Sequence, residues 1–167
     1  GRVDVICNNA GVVGPFAPAW EQEPATWEWV MDVAFMGVVH GIRSFVPHLV
    51  AQGSGHVLNT ASVGGLITLP GLSPYNAAKH AVVALSETLR EELRRDGAAV
   101  GVSVLCPGMV STSLGESSAA IRPEGVPVIE PAAPANERAP ARDDHGSVVM
   151  PADVARLAVD GIEADRL

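Results

Sequence analysis

Three short apolar runs, VDVIC at 3–7, HVLNT at 56–60 and VGVSVLC at 100–106, each close on a polar or glycine-containing turn. They are too short for core helices, rich in β-branched residues and apolar almost throughout, so they read as strands buried on both faces. Between the first two, apolar residues recur at helical spacing over 24–50: Trp27, Val30, Met31, Ala34, Phe35, Val38, Val39, Ile42, Phe45, Val46 and Leu49. Pro24 suits a first helical turn, and Pro47 should kink or end that helix late. Between the second and third runs a helix is expected over 74–95, with Leu85, Leu89 and Leu93 on one stripe and Asp96-Gly97 as its stop. A last helix starts near Pro151 and carries Val154, Leu157, Ala158 and Ile162. Strands alternating with helices in this way predict an α/β fold, a parallel βαβαβα unit with helices on the faces of the sheet.

The length of 167 residues gives room for one domain with a real core and too little for two. Apolar residues make up 47% and charged ones 18%, which suits a buried α/β domain and excludes a disordered chain. No apolar run approaches the ~20 residues of a membrane span, and no signal peptide opens the chain, so a soluble, cytoplasmic protein without a membrane partner is expected. A net charge of −8 with no cluster of basic residues argues against a nucleic-acid partner. Cys7 and Cys106 sit inside apolar runs and read as reduced core residues. Residues 109–150 are rich in Pro, Ala, Ser and Glu, and so long a stretch without periodicity reads as a substrate-side loop or lid.

Ligands of open parallel sheets bind beyond the carboxyl ends of the strands. That rule directs attention to residues 8–11, 60–75 and 107–112, one group after each strand. Tyr75 and Lys79 stand at i and i+4 near the start of a helix and so share a face. A free phenol is a poor acid or base at neutral pH, but a neighbouring ammonium favours the phenolate. The pair can therefore act as a general acid/base toward a carbonyl or an alcohol. Ser62, just past the second strand, could hold the same substrate oxygen by a hydrogen bond.

Asn8-Asn9-Ala10-Gly11 after a strand, Ser62, the YxxxK pair Tyr75 and Lys79, and Pro107-Gly108 followed by Thr112 together resemble the short-chain dehydrogenase/reductase family. The stretch NTASVGGL…SPYNAAKHAV is especially similar, and the order and spacing match the ordinary subclass of about 250 residues. The resemblance covers almost the whole chain and weakens over 113–150. It implies a Rossmann-like, doubly wound parallel sheet, and an oxidoreductase that uses NAD or NADP to interconvert an alcohol and a ketone or aldehyde. In that scheme Tyr75 is the acid/base, and Ser62 orients the substrate oxygen. Lys79 lowers the tyrosine pKa and binds the ribose hydroxyls of the cofactor. The backbone of Asn9, Ala10 and Gly11 lies along the cofactor, with Asn9 also helping to hold the sheet together. Pro107, Gly108 and Thr112 flank the nicotinamide. No metal is implied. The full-length protein is expected to pair its long helices into a homodimer or homotetramer.

Two features depart from that pattern. The family's usual asparagine in the first long helix, which holds a water behind the lysine, is replaced by Ala34. The glycine-rich turn that would seat the cofactor pyrophosphate on a helix N-terminus is absent, as are the residue that separates NAD from NADP and the final strand. The chain is therefore read as the catalytic part of a single domain whose N-terminal nucleotide-binding half is missing, and alone it would leave a sheet edge and an apolar flank exposed. Two other functions remain open at this point: a non-catalytic interaction module, and an epimerase or dehydratase that shares the Tyr-Lys pair. The apolar residues Leu66, Ile67, Leu69 and Leu72, with those of 12–16, hint at an apolar substrate. The histidines at 40, 48, 56, 80 and 145 show no metal-binding spacing, and Asp143-Asp144-His145 reads as a solvated loop rather than part of a triad.

Overall fold

The computed structural model describes residues 1–129 and 149–165. Strands β1 (Val5–Asn8), β2 (Gly55–Thr60) and β3 (Val100–Leu105) form a three-stranded sheet in the order β1-β2-β3. Both pairings are parallel, with Val5 opposite His56, Asn8 opposite Asn59, and Thr60 opposite Leu105. Each strand lies within two residues of its expected place.

Helix α1 (Pro24–Met31) passes through a π-helical turn (Asp32–Met36) into α2 (Gly37–Gln52), giving one continuous helix from Pro24 to Gln52. Pro47 does not end it. The helix stops instead at Gly53, whose left-handed backbone lets its N–H reach the carbonyls of Leu49 and Val50. Pro47 is on the exposed side, whereas its neighbours Val46 and Leu49 are buried and hold the last turns in place. By length and composition Pro24–Gln52 is apolar enough to cross a membrane, which corrects the expectation that no segment is. In this fold its stripe of Val30, Ala34, Val38, Val46 and Leu49 is buried inside the domain.

Helix α3 (Ser73–Arg95) lies beside α2 on one face of the sheet. Ile6, Val57, Val100 and Val102 from the three strands pack there against Val46 and Leu49 of α2 and Leu89 and Leu93 of α3. A chain of amides and hydroxyls crosses this apolar layer. Asn8 Nδ2 donates to Asn59 Oδ1 (2.8 Å), Asn59 Nδ2 to Ser86 Oγ (2.9 Å), and Ser86 Oγ to the Val82 carbonyl (2.7 Å). Satisfied in this way, the buried polar groups fix the register between β1, β2 and α3 without a desolvation penalty.

The opposite face is partly covered by α5 (Pro151–Glu163), whose Ala158 is buried over β2 and β3. On β1 the same face is bare among the described residues, so Val5 and Cys7 are exposed. This corrects the reading of both cysteines as core: Cys7 alternates onto the uncovered face, and Cys106 is half-buried just past β3. Residues 109–129 are also more ordered than composition suggested. They hold α4 (Leu114–Ala120), whose buried Ser118 accepts a hydrogen bond from the Val13 N–H at 3.0 Å. Residues 130–148 of the expected lid, including Asp143, Asp144 and His145, lie outside the described residues.

Under α5 the buried His56 ring shares a 2.9 Å hydrogen bond with Ser103 Oγ, while Asp165 stands 4.0 Å from Nδ1 and Arg90 pairs with Asp165. Burial holds the His56 pKa below the ordinary value of 6.5, with Asp165 opposing the shift and Arg90 adding to it. Below 6.5 the unfolded chain therefore takes up a proton that the folded chain resists, and stability falls as the pH drops. Thermal melts of the full-length protein between about pH 7 and about pH 5 are expected to show this loss, and His56→Gln should reduce its pH dependence. A His56→Gln protein with the parent's full acid sensitivity would show that other groups carry it.

Candidate active site

Beyond the carboxyl ends of the strands the chain brings Ser62, Tyr75 and Lys79 together. Ser62 follows β2 in extended conformation and caps a short 3-10 turn (Val63–Gly65), its Oγ accepting from the Gly64 N–H at 3.1 Å. That turn packs tightly onto α3: a Cβ at Gly65 would lie 2.6 Å from the Lys79 carbonyl oxygen, so only glycine fits. The Ser62 side chain is also the polar neighbour that favours the ionised form of Tyr75. Tyr75 sits in the first turn of α3, half-buried, with Pro74 pre-setting the helical start.

Lys79 is one turn further along, with 3% of its surface exposed, and its Nζ donates to the Thr60 carbonyl at 2.8 Å. The same nitrogen lies 5.7 Å from the centroid of the Tyr75 ring. Burial lowers its pKa to about 8, with Cys106 opposing the shift. Cys106, half-buried just past β3, is near both Ser62 and Lys79: burial raises its thiol pKa against the backbone of the first and the charge of the second.

Tyr75 departs from the expectation drawn from its spacing to Lys79. Burial holds the phenol above the usual tyrosine range, and the Ser62 side chain is what opposes that rise. The lysine lies alongside the ring with its nearest hydrogen bond made to a backbone carbonyl, so it does not govern the hydroxyl in this arrangement. At neutral pH Tyr75 is accordingly a phenol, a proton donor.

The other expected residues fall into two groups. Asn9 Oδ1 accepts from Thr60 Oγ1 at 3.0 Å, tying the loop after β1 to the strand end whose carbonyl holds Lys79. Ala10 is exposed beside it, and a Cβ on Gly11 would sit 3.5 Å from Lys79 Nζ, so this backbone lines the same crevice. The Pro107 carbonyl accepts from the Val63 N–H at 2.8 Å, which brings the end of β3 against the turn after Ser62, and Gly108 has open space where a Cβ would stand. Thr112 is less integrated. It is exposed before α4, with Oγ1 facing the Leu114 N–H at 3.4 Å, and no hydrogen bond joins it to Ser62, Tyr75 or Lys79.

Ala34 lies in the π-helical turn, fully buried against Val12, Val30 and Ala78, with Tyr75 packed at the edge of that cluster. An extra residue per turn at this point is a feature often found near functional sites. The sequence reading missed the sheet-spanning pair Asn8 and Asn59. An asparagine inside an otherwise apolar strand run was the available signal, because a buried amide must find partners.

A family model described as short chain dehydrogenase matches residues 1–122. The chain is 44% identical over 116 residues to a 1-deoxy-11-beta-hydroxypentalenate dehydrogenase of Streptomyces avermitilis, a match covering 68% of this chain and 42% of that protein. It is 36% identical over 115 residues to a CLA biosynthesis dehydrogenase/reductase of Lactiplantibacillus plantarum, covering 68% of this chain and 40% of the relative. The chain thus spans less than half the length of these curated relatives. Among solved structures, a short chain dehydrogenase/reductase from Burkholderia phymatum in complex with NAD superposes with a TM-score of 0.84 at 37% identity, covering 100% of this chain and 60% of that one. A gluconate 5-dehydrogenase from Burkholderia cenocepacia in complex with NADP and tartrate superposes with a TM-score of 0.65 at 31% identity, covering 70% and 45%.

The burial of Lys79 has a measurable consequence for stability. A fall from 10.5 to about 8 amounts to roughly 3 kcal/mol against the charged form. A hydrogen bond from a charged group offsets about 1.5–3 kcal/mol of this. Lys79→Met should therefore leave the full-length protein as stable as the parent or more so in denaturant titrations, and a loss of several kcal/mol would mean that the ammonium stabilises the fold.

Proposed function

The chain belongs to the short-chain dehydrogenase family, and on that premise we propose that it is the catalytic part of an NAD- or NADP-dependent oxidoreductase interconverting an alcohol and a ketone or aldehyde. The observation that carries the reading is Ser62 beside the Tyr75 side chain, with Lys79 buried one helical turn away and its Nζ 5.7 Å from the Tyr75 ring. A residue freed from catalysis has no physical reason to hold an ammonium out of water at the mouth of a crevice.

The crevice suits a nicotinamide cofactor on its own chemistry. Lys79 Nζ carries three protons, and one is directed at Thr60, which leaves donors for ribose hydroxyls. Gly11 and Gly108 keep backbone close to that space with no side chain filling it. Asn9, Ala10 and Gly11 would lie along the cofactor with Lys79 on its ribose, and Pro107, Gly108 and Thr112 would border the nicotinamide. When bound, the cofactor supplies or accepts the hydride. Ser62 orients the substrate oxygen, and Tyr75, protonated at neutral pH, gives its hydroxyl proton to that oxygen as a carbonyl is reduced. In the reverse direction Tyr75 must first lose its proton and then takes one from the alcohol.

The exposed Phe45 and Val50 on α2 support a homodimer or homotetramer of the full-length protein. Ala34 favours a second reading, a non-catalytic relative, because no polar side chain stands at the expected water-holding position. Cofactor binding separates the two.

The test is steady-state reduction of a panel of ketones and aldehydes by the full-length protein with NADH and NADPH. Tyr75→Phe removes only the hydroxyl, so folding and cofactor binding should survive while turnover falls by about 10²–10⁴ or more. Lys79→Met should lose turnover and also weaken cofactor binding, and the double variant should be little worse than the worse single one. Tyr75→Phe turnover equal to the parent's would remove Tyr75 from the role, and a parent that binds neither cofactor would leave the non-catalytic reading.

A further inference from the structure

Gln22 lies outside the sites described above, yet its side chain is nine-tenths buried and its Nε2 is directed at three backbone carbonyls: Pro15 at 3.0 Å, Ala17 at 3.2 Å and Gly71 at 3.2 Å. The Ala17 N–H also donates to Gly71 at 3.1 Å. These bonds fasten the loop after β1 to the loop that leads into α3. The second loop is held again at its other side, where Asn76 Nδ2 donates to the Leu69 carbonyl at 2.8 Å, one residue from Tyr75. Gly71, at φ +87°, carries the ring of Phe16 so closely that a Cβ there would lie 2.3 Å from it. Gln22 Oε1 is buried without a partner, a cost that the amide's donor side must outweigh.

What these ties hold open is a groove of about 480 Å³ lined by Phe16, Ala17, Pro18, Trp20, Pro70 and Ser73, with no charged side chain in its wall. Phe16 is 75% exposed and Trp20 84% exposed, and Trp20 Nε1 is steadied by Glu21 Oε1 at 3.2 Å. Ser73 opens the helix that bears Tyr75. Large exposed aromatic side chains on tied-down loops, one of which leads into the helix bearing Tyr75, suit contact with a nonpolar ligand better than with water.

We propose that Gln22 is a positioning residue that locks these two loops together, so that Phe16 and Trp20 form the wall receiving the nonpolar end of the carbonyl substrate. The proposal rests on the oxidoreductase reading above and adds to it the class of substrate, a ketone or alcohol with an extended hydrocarbon or aryl substituent. Gln22→Met keeps the length and loses every donor; Trp20→Ala trims a surface side chain and leaves the fold untouched.

The experiment measures kcat/KM of the full-length protein and both variants on 2-butanone and 2-decanone. The parent should prefer 2-decanone, and each variant should lower the long-to-short ratio about tenfold, chiefly through KM for the long ketone. A purely structural Gln22 would reduce both substrates in parallel through a smaller active fraction. A parent without preference, or a ratio unchanged in both variants, overturns the groove. If turnover instead survives Tyr75→Phe, the oxidoreductase reading beneath it is what fails.

Discussion

The ammonium of Lys79, held against the Thr60 carbonyl at the end of β2, is the contact on which the arrangement of the site depends. It joins the central strand to the helix that carries Tyr75, and it does so with a charge placed almost wholly out of water. Such a contact persists only if the surroundings over-determine it. Here Gly65 lets the turn after Ser62 come into van der Waals contact with the lysine backbone, and Asn9 braces Thr60 from the neighbouring strand. The apolar layer of Ile6, Val57, Val102, Leu89 and Leu93 then fixes α3 over the sheet. Placement of the reactive groups is thus a consequence of sheet-and-helix packing, transmitted through one charged hydrogen bond.

That arrangement sets the chemistry in an informative direction. Because burial dominates at Tyr75, its hydroxyl keeps its proton through neutral pH, and Ser62 is the group that draws it back. Lys79, with its own pKa lowered to about 8, acts on the crevice by presenting a partly desolvated cation to it. Serine and lysine therefore divide the work: one adjusts the phenol, the other faces the space beside Gly11.

Strand positions, helix limits and the Ser62-Tyr75-Lys79 trio were legible because each rests on a local pattern: a short β-branched run, an apolar stripe, or an i, i+4 pair. What was not legible depends on surroundings that no local pattern encodes. Cys7 lies in a strand as apolar as the other two, but its exposure is decided by whether anything covers that face of β1. The sign of the Tyr75 shift required knowing that the lysine lies along the ring rather than at the hydroxyl. Pro47 reads as a helix breaker, but its missing donor faces solvent and its neighbours are anchored, so the helix continues. Gln22 carried no motif at all, and its three carbonyl partners come from segments 15–17 and 71 that only the fold brings together.

The central claim is that the ionisation of Tyr75, raised by burial and restrained by Ser62, governs proton transfer. Its most direct test is the pH dependence of kcat/KM for alcohol oxidation by the full-length protein, measured beside Ser62→Ala. Oxidation should increase with pH well beyond neutrality, with its break shifted to higher pH in Ser62→Ala because the restraining hydroxyl is gone. A break at or below neutral pH, or one that Ser62→Ala leaves in place, would contradict the account.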